Sequence, residues 1–386
     1  MLMSNRNHEA THFLESKAKN YAEELKSIEQ AIGLREFSKP DADYKRLKQA
    51  TDHVCEACLE IECKIDKDRE LLNSTRKHFR DIIAPWFHKS PLFYHGITKP
   101  RGYAGDYQML IAIYEGKVRS TGIGGYLDHY FLNTALAKAV VSRMKGILNY
   151  LEHEFPHRHE DFSILDIACG PCQEFVQGIT LPKDKNVQVS LLDYDRGALS
   201  YVKENVVALR NDSSHFQCIR YNALRMRSAD RFIEQYGRYD IIYSVGLCDY
   251  IADKQLIPML SGWRKIAHDR GIVYVAFKDA NLYTTPIYQW VTDWHFLQRT
   301  QEDCTRIMRE AGFDVESMKV TRDKSGVIMN FIAPVIATGN IRIDQAHAPV
   351  VIPEHLNEQR SHSNHISQLS NGSQLSNGEL STPETS

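Results

Sequence analysis

No window of about 20 uninterrupted apolar residues occurs in this 386-residue chain, which excludes a helix long enough to cross a bilayer. The start, MLMSNRNHEATHF, is too polar for the apolar part of a secretory leader, so the expected setting is cytoplasmic, soluble and without stable membrane insertion. Charge of one sign is equally scarce. Against 49 Asp and Glu stand 47 Lys and Arg, a formal net charge of -2, which argues against a general electrostatic hold on nucleic acid or anionic lipid. Eight cysteines are too few, in a chain of this length, for a disulfide framework and read as free thiols. There is no literal G-x-G-x-x-G, and no N-P-P-Y-like loop or basic stripe with interleaved aromatics of the kind that reads a flipped base.

What is present suffices for one full-size domain, a smaller helical part and a polar end. From Glu9 to Phe87 apolar residues recur at helical spacing, as in Tyr21, Leu25, Ile28 and Ile32, and predict three or four helices, with a break at FSKPDADY and an ending at RDIIAPWFHKSP. A glycine-rich loop, KPRGYAGD, then leads into a short helix and a long amphipathic one. From Phe162 the pattern alternates strand and helix, and it closes with DVESMKVTR and GVIMNFIAPV as a hairpin; that order predicts a parallel, doubly wound sheet with an antiparallel edge. The expected divisions are residues 1–95, helical; 96–145, a covering loop and helices; 146–338, the α/β domain; and 339–386, a disordered polar tail containing the direct repeat SQLSNGSQLSNG.

The chemistry concentrates at strand ends. SILDIACGPCQEF places Asp166, Ala168, Gly170 and Cys172 in a turn from a buried strand into a helix, where small residues let backbone approach a ligand. In SLLDYD, Asp193 follows at the end of the second strand, where a carboxylate can accept both hydroxyls of a ribose. RYNAL and YSVGLCDYI bring Asn222 and Ala223, and then Ser244 to Gly246, to the ends of the next two strands.

This arrangement resembles the class I S-adenosylmethionine-dependent methyltransferases over residues 145–336. The resemblance implies an α/β fold, a Rossmann-like doubly wound sheet of seven strands with an antiparallel last strand, preceded here by the N-terminal helical region. It also implies S-adenosylmethionine as cofactor, with Asp166, Ala168 and Gly170 at its methionine part, Asp193 and the adjoining Tyr194 at the ribose, Asn222 and Ala223 at the adenine, and Ser244 and Gly246 on the sulfonium side. More narrowly, PRGYAGDYQML, DHYFLNTALAKAV, DIACGPCQE, LLDYD, IIYSVGLCDYI and QWVTDWHFLQRT resemble a bacterial group that includes enzymes making methyl esters of 3-hydroxy fatty acids as quorum-sensing signals. That implies O-methylation of a small apolar acid to its methyl ester.

For the reacting end, Arg101, Tyr103, Asp249, Tyr250 and His295 are the candidates. Arg101 is suited to clamp a carboxylate or to pair with the cofactor's own, with Tyr103 donating to either, as a cofactor-binding residue too, and Asp106 on the arginine or the cofactor's amino group; alternatively Arg101 and Asp106 pair in a purely structural loop. Asp249 and Tyr250 lie where the accepting atom should enter. Trp290 and Trp294, four apart, read as one face of a helix that serves as a lid or packs on the sheet, with His295 beside them as a candidate base. No metal site is expected: CEAC at 55–58 falls in a helical pattern and CGPC at 169–172 in the cofactor turn. The N-terminal helices leave room for a homodimer. A methyltransferase acting on another small molecule, a nucleic acid or a protein, or a cofactor-binding interaction protein, is the alternative.

Overall fold

The computed structural model describes residues 2–336, with side chains from residue 5. The tail expected at 339–386 lies outside the described residues. Eight helices precede the first strand: α1 (Leu2–His12), α2 (Lys19–Ile32), α3 (Ala42–Ile65), α4 (Arg69–Phe87), α5 (Pro91–Thr98), α6 (Tyr107–Glu115), α7 (Gly122–Leu132) and α8 (Ala135–Glu154). Their starts follow side-chain chemistry. The carboxylate of Asp41 accepts from the Tyr44 N–H, that of Asp68 from the Leu71 N–H, and the Ser90 hydroxyl from the Phe93 N–H with Pro91 next to it. Such caps satisfy amides that the first helical turn leaves free. Pro85 does not end α4, which continues to Phe87 because Phe79, Ile83 and Phe87 form one buried stripe.

Strands β1 (Asp161–Ile167), β2 (Asn186–Asp193), β3 (Phe216–Arg220), β4 (Tyr239–Ser244), β5 (Ala267–Lys278), β6 (Lys319–Arg322) and β7 (Ile328–Pro334) form one sheet in the order β3-β2-β1-β4-β5-β7-β6. The pairs from β3 through β5 are parallel, whereas β7 runs antiparallel to both β5 and β6. The fold expected from the sequence is thus the one formed. The order in which the chain adds strands reverses between β1 and β4, whose Asp166 and Tyr243 are paired; the loops leaving these two strands diverge and open a crevice at their carboxyl ends.

The helices α9 (Gln173–Val176), α10 (Arg196–Val202), α11 (Ala229–Tyr236), α12 (Asp253–Ile266) and α13 (Gln301–Glu310) complete the layers. Alternate residues of each strand face opposite cores. Ile164, Val189 and Tyr243 join a cluster that includes Leu25, Phe79 and Phe131 of the preceding helices, whereas Leu165, Leu192 and Phe277 face Phe232, Trp263 and Ile307 of the later ones. The N-terminal helices therefore share a core with one face of the sheet. Two expectations need correction. The helix expected to carry Trp290 and Trp294 is a single wide turn at Ile287–Val291 followed by irregular backbone, with Asp293 at φ 51°, before α13 begins. The strand expected over DVESMKVTR is only Lys319–Arg322, because Asp314 turns the chain by accepting from the Glu316 N–H.

Gly262 of α12 lies against the short turn that begins at Asn222 and Ala223, and a Cβ there would collide with the Met226 carbonyl. Gly262→Ala should therefore lower stability by about 1–3 kcal/mol through overpacking, seen as a lower denaturation midpoint; an unchanged midpoint would contradict the close approach.

Candidate functional site

A cavity of about 420 Å³ lies beyond the carboxyl ends of β1 through β5. Its polar landmark is Asp193, at the last position of β2 and nine-tenths buried. One carboxylate oxygen accepts from the Gly170 N–H at 3.0 Å and the other from the Asp195 N–H at 2.9 Å. A carboxylate has about four acceptor positions, so half remain for a ligand. Burial raises its pKa, while the amides of Asp195 and Gly170 work in the opposite direction. The adjoining turn is bent into the left-handed region at Ala168 (φ 58°) and Gly170 (φ 54°), which keeps its backbone on the cavity wall. Asn222 and Ala223 continue that wall, the Asn222 side chain accepting from the Leu224 N–H at 3.0 Å.

The loop before α6 closes one side. Arg101 pairs with Asp195 across 94 positions of sequence, its Nε 2.5 Å from Oδ2, and its guanidinium lies 5.2 Å from the centre of the Tyr107 ring. Lys99 binds Asp293 at 2.9 Å. At Gly105 the loop passes so close to Trp294 and Tyr250 that a Cβ would fall 2.6 Å from the indole and 2.8 Å from the phenol oxygen. Trp294 Nε1 in turn donates to the Tyr250 hydroxyl at 2.9 Å. Tyr103, Tyr250 and Trp294 all reach the cavity.

The structure thus brings together Tyr103, Ala168, Gly170, Asp193, Tyr194, Asn222, Ala223, Gly246 and Tyr250. It places the other candidates elsewhere. Arg101 does not line the cavity and is engaged by Asp195, which does, and Asp106 is paired with neither Arg101 nor the cavity. Instead, the Asp106 carboxylate caps α6 through the amides of Gln108 and Met109 and meets His95 Nε2 at 2.8 Å. Asp166 lies behind the turn, 3.8 Å from the Cys172 thiol; burial, then the neighbouring Glu174, raise its pKa well above the carboxylate range. Glu174 is itself pushed up by burial and accepts from Tyr243 at 2.7 Å. Cys169 and Cys172 are buried free thiols, and with Asp166 they bring three potential ligand atoms within 4.8 Å of one another. Burial and the surrounding carboxyls raise the Cys172 thiol far from its thiolate.

Ser244 is fully buried and donates to the Ile167 carbonyl at 2.8 Å, tying β4 to β1. Asp249 is buried too, 2.5 Å from Lys278 Nζ. His295 is exposed and bound to Asp293 at 2.9 Å. The two tryptophans do not share a helix face: Trp290 packs against Phe13 and Phe79 and donates to Glu62, while only Trp294 faces the cavity. Two functional candidates escaped sequence reasoning, Arg143 of α8 and Lys278 at the end of β5, both lining the cavity. Each carried a signal. Arg143 interrupts the apolar stripe Leu136, Val140, Ile147, and Lys278 directly follows the buried run VYVAF of its strand.

No protein-family model matches the chain, nor does any curated protein. Among solved structures it is similar to a possible exported protein from Bordetella parapertussis, with 12% identity over 84% of this chain and 97% of that one and a TM-score of 0.51. It is also similar to the CurJ carbon methyltransferase, with 12% identity over 87% of this chain and 97% of that one and a TM-score of 0.45. The magnesium protoporphyrin IX methyltransferase ChlM from Synechocystis, with bound S-adenosylhomocysteine, gives 11% identity over 52% of this chain and 86% of that one, with a TM-score of 0.39. At such identity the first of these likenesses shows a shared fold.

Arg101 lowers the pKa of Asp195. Because the folded value is depressed, the pair's contribution is complete above the unfolded carboxylate value and is lost only as pH falls through the folded one. Arg101→Met should leave the pH profile of ligand binding unchanged between about pH 6 and 8, with a stability loss of about 1 kcal/mol or less. A new ionisation in that range, or a much larger loss on thermal denaturation, would show that the pair does something else.

Proposed function

We propose that this chain is an S-adenosylmethionine-dependent methyltransferase that converts a small apolar acid, such as a hydroxy fatty acid, to its methyl ester. The observation that carries the reading is Asp193: a buried carboxylate at the end of β2, fixed by two backbone amides, with acceptor positions free on the cavity side. The residues fit the cofactor. Asp193 would hold the ribose hydroxyls, the turn at Ala168 and Gly170 the methionine part, and Asn222 and Ala223 the adenine. Bound there, S-adenosylmethionine supplies a methyl group on a sulfonium, which an oxygen lone pair can take with the charges of acid and sulfonium cancelling.

The remaining work belongs to the protein. Leu136, Val140 and Phe296 give the cavity apolar walls suited to an acyl chain. The loop held by the Arg101–Asp195 and Lys99–Asp293 pairs, with Trp294 on Tyr250, keeps water from the acceptor. A carboxylate acceptor is already ionised and needs positioning rather than a base. His295, outside the cavity, is accordingly not required. The alternative of an interaction protein docking through its N-terminal helices has less support, because the apolar stripes of α2 through α4 are buried in the chain's own core.

Asp193→Ala should abolish S-adenosylhomocysteine binding in calorimetry. Asp193→Asn, which keeps an acceptor for one of the two amides, should weaken binding at least about tenfold by loss of charge-assisted hydrogen bonds while the far-ultraviolet circular dichroism stays unchanged. Unaltered affinity in both variants would remove the assignment.

A further inference from the structure

Two buried cations share the wall of this cavity. Arg143 and Lys278 are each 4% exposed, and both line it. Lys278 Nζ is 2.5 Å from Asp249 Oδ2, and the Lys278 N–H donates to the other oxygen of the same carboxylate at 3.1 Å. Asp249 thus answers one positive charge. The ammonium also sits 4.2 Å from the centre of the Phe296 ring and 5.6 Å from that of Tyr250. Among the described residues no carboxylate is bonded to Arg143: its Nε finds no hydrogen-bond partner, and the polar group it meets is the neutral hydroxyl of Tyr114. Its guanidinium occupies the space beside Gly246, where a Cβ would come 3.3 Å from Nη2.

Charged groups are rarely desolvated without a partner, and a guanidinium facing a cavity is completed by a ligand anion. The carboxyl of Glu174 is pushed toward its neutral form by burial, which outweighs the opposing pull of Arg143, and it is already bonded to Tyr243. The two cations also repel: Arg143 helps to lower the pKa of Lys278, after burial and against the pull of Asp249. An anion between them would relieve both problems. The surface leading up to Arg143 is apolar. Leu136, Ala137 and Val140 precede it on the same face of α8, a run of about 10 Å at 1.5 Å per residue.

We propose that Arg143 and Lys278 form a carboxylate site in this cavity, occupied by the head group of an amphipathic acid whose tail lies along Leu136, Ala137 and Val140. The identification of that acid as the methyl acceptor rests on the reading above; the site itself does not. One consequence follows from charge alone. A carboxylate held by two cations loses that hold when it becomes a neutral ester, so acid is bound more tightly than ester.

Octanoate and methyl octanoate titrated into the full chain test this by calorimetry. The unsubstituted protein should bind octanoate at least about tenfold more tightly than its ester, the scale of one hydrogen bond to a charged group; equal affinities would overturn the proposal without recourse to any variant. Arg143→Met, and Lys278→Met combined with Asp249→Asn so that no buried charge is stranded, should each weaken octanoate about ten- to a hundred-fold and leave the ester unchanged. Arg143→Lys should restore part of the loss. The rival occupant is the cofactor's own carboxylate, which S-adenosylhomocysteine carries and 5′-methylthioadenosine lacks. If Arg143→Met weakens the former relative to the latter while octanoate is unaffected, the acceptor assignment is overturned. Selective octanoate binding by a protein that does not bind S-adenosylhomocysteine would leave the carboxylate site standing and remove the methyl-transfer reading instead.

Discussion

The whole arrangement depends on a buried carboxylate at the end of β2 that is held open toward the cavity. Asp193 is kept in place by the amides of Gly170 and Asp195, and those amides are in position because β1 and β2 run parallel in register from Asp161 and Asn186 to Ile167 and Leu192. Burial favours the neutral acid and the amides favour the ion. The same hydrogen bonds therefore fix the geometry and sustain the charge. The left-handed backbone at Ala168 is part of that constraint, since the strand must turn sharply there for Gly170 to reach Asp193.

Around this fixed point the chain makes long-range closures rather than local ones. Arg101 reaches Asp195 from the covering loop, Arg80 and Lys99 converge on Asp293, and Arg299 joins the Cys248 and Ile251 carbonyls to Asp253. The last of these is the most buried, and it anchors the segment carrying Asp249 and Tyr250. Because α4 contributes Arg76 to Gln289 and Glu62 of α3 binds Trp290, the N-terminal helices hold the far side of the segment whose next residues include Trp294. The helical region is thus a support for one wall of the cavity as well as a cover for the sheet.

Much of the fold and the cavity wall at the ends of β1 to β3 was legible in the sequence because their signals are local. A strand followed by a small-residue turn, then a second strand ending in an acid, specifies Gly170 and Asp193 without knowledge of anything distant. The opposite wall was legible only in part. Arg101 and Asp195, or Asp249 and Lys278, are separated by tens of residues, and nothing in local spacing pairs them. Asp106 carried two compatible signals, a ligand in a glycine-rich loop and a residue directly preceding a helix; the structure shows it capping α6. Periodicity placed Trp290 and Trp294 on one face, but the positive φ at Asp293 breaks the helix between them and turns only Trp294 toward the cavity. Arg143 sat in an apolar stripe where a charge is conspicuous, a signal readable only once the helix is known to face a cavity.

The most direct test is a crystal structure of the protein grown with S-adenosylhomocysteine. The expected result is density for the nucleoside in the cavity, with both ribose hydroxyls on the Asp193 carboxylate and the adenine beside Asn222 and Ala223. Density at another site, or a ribose facing away from Asp193, would contradict it.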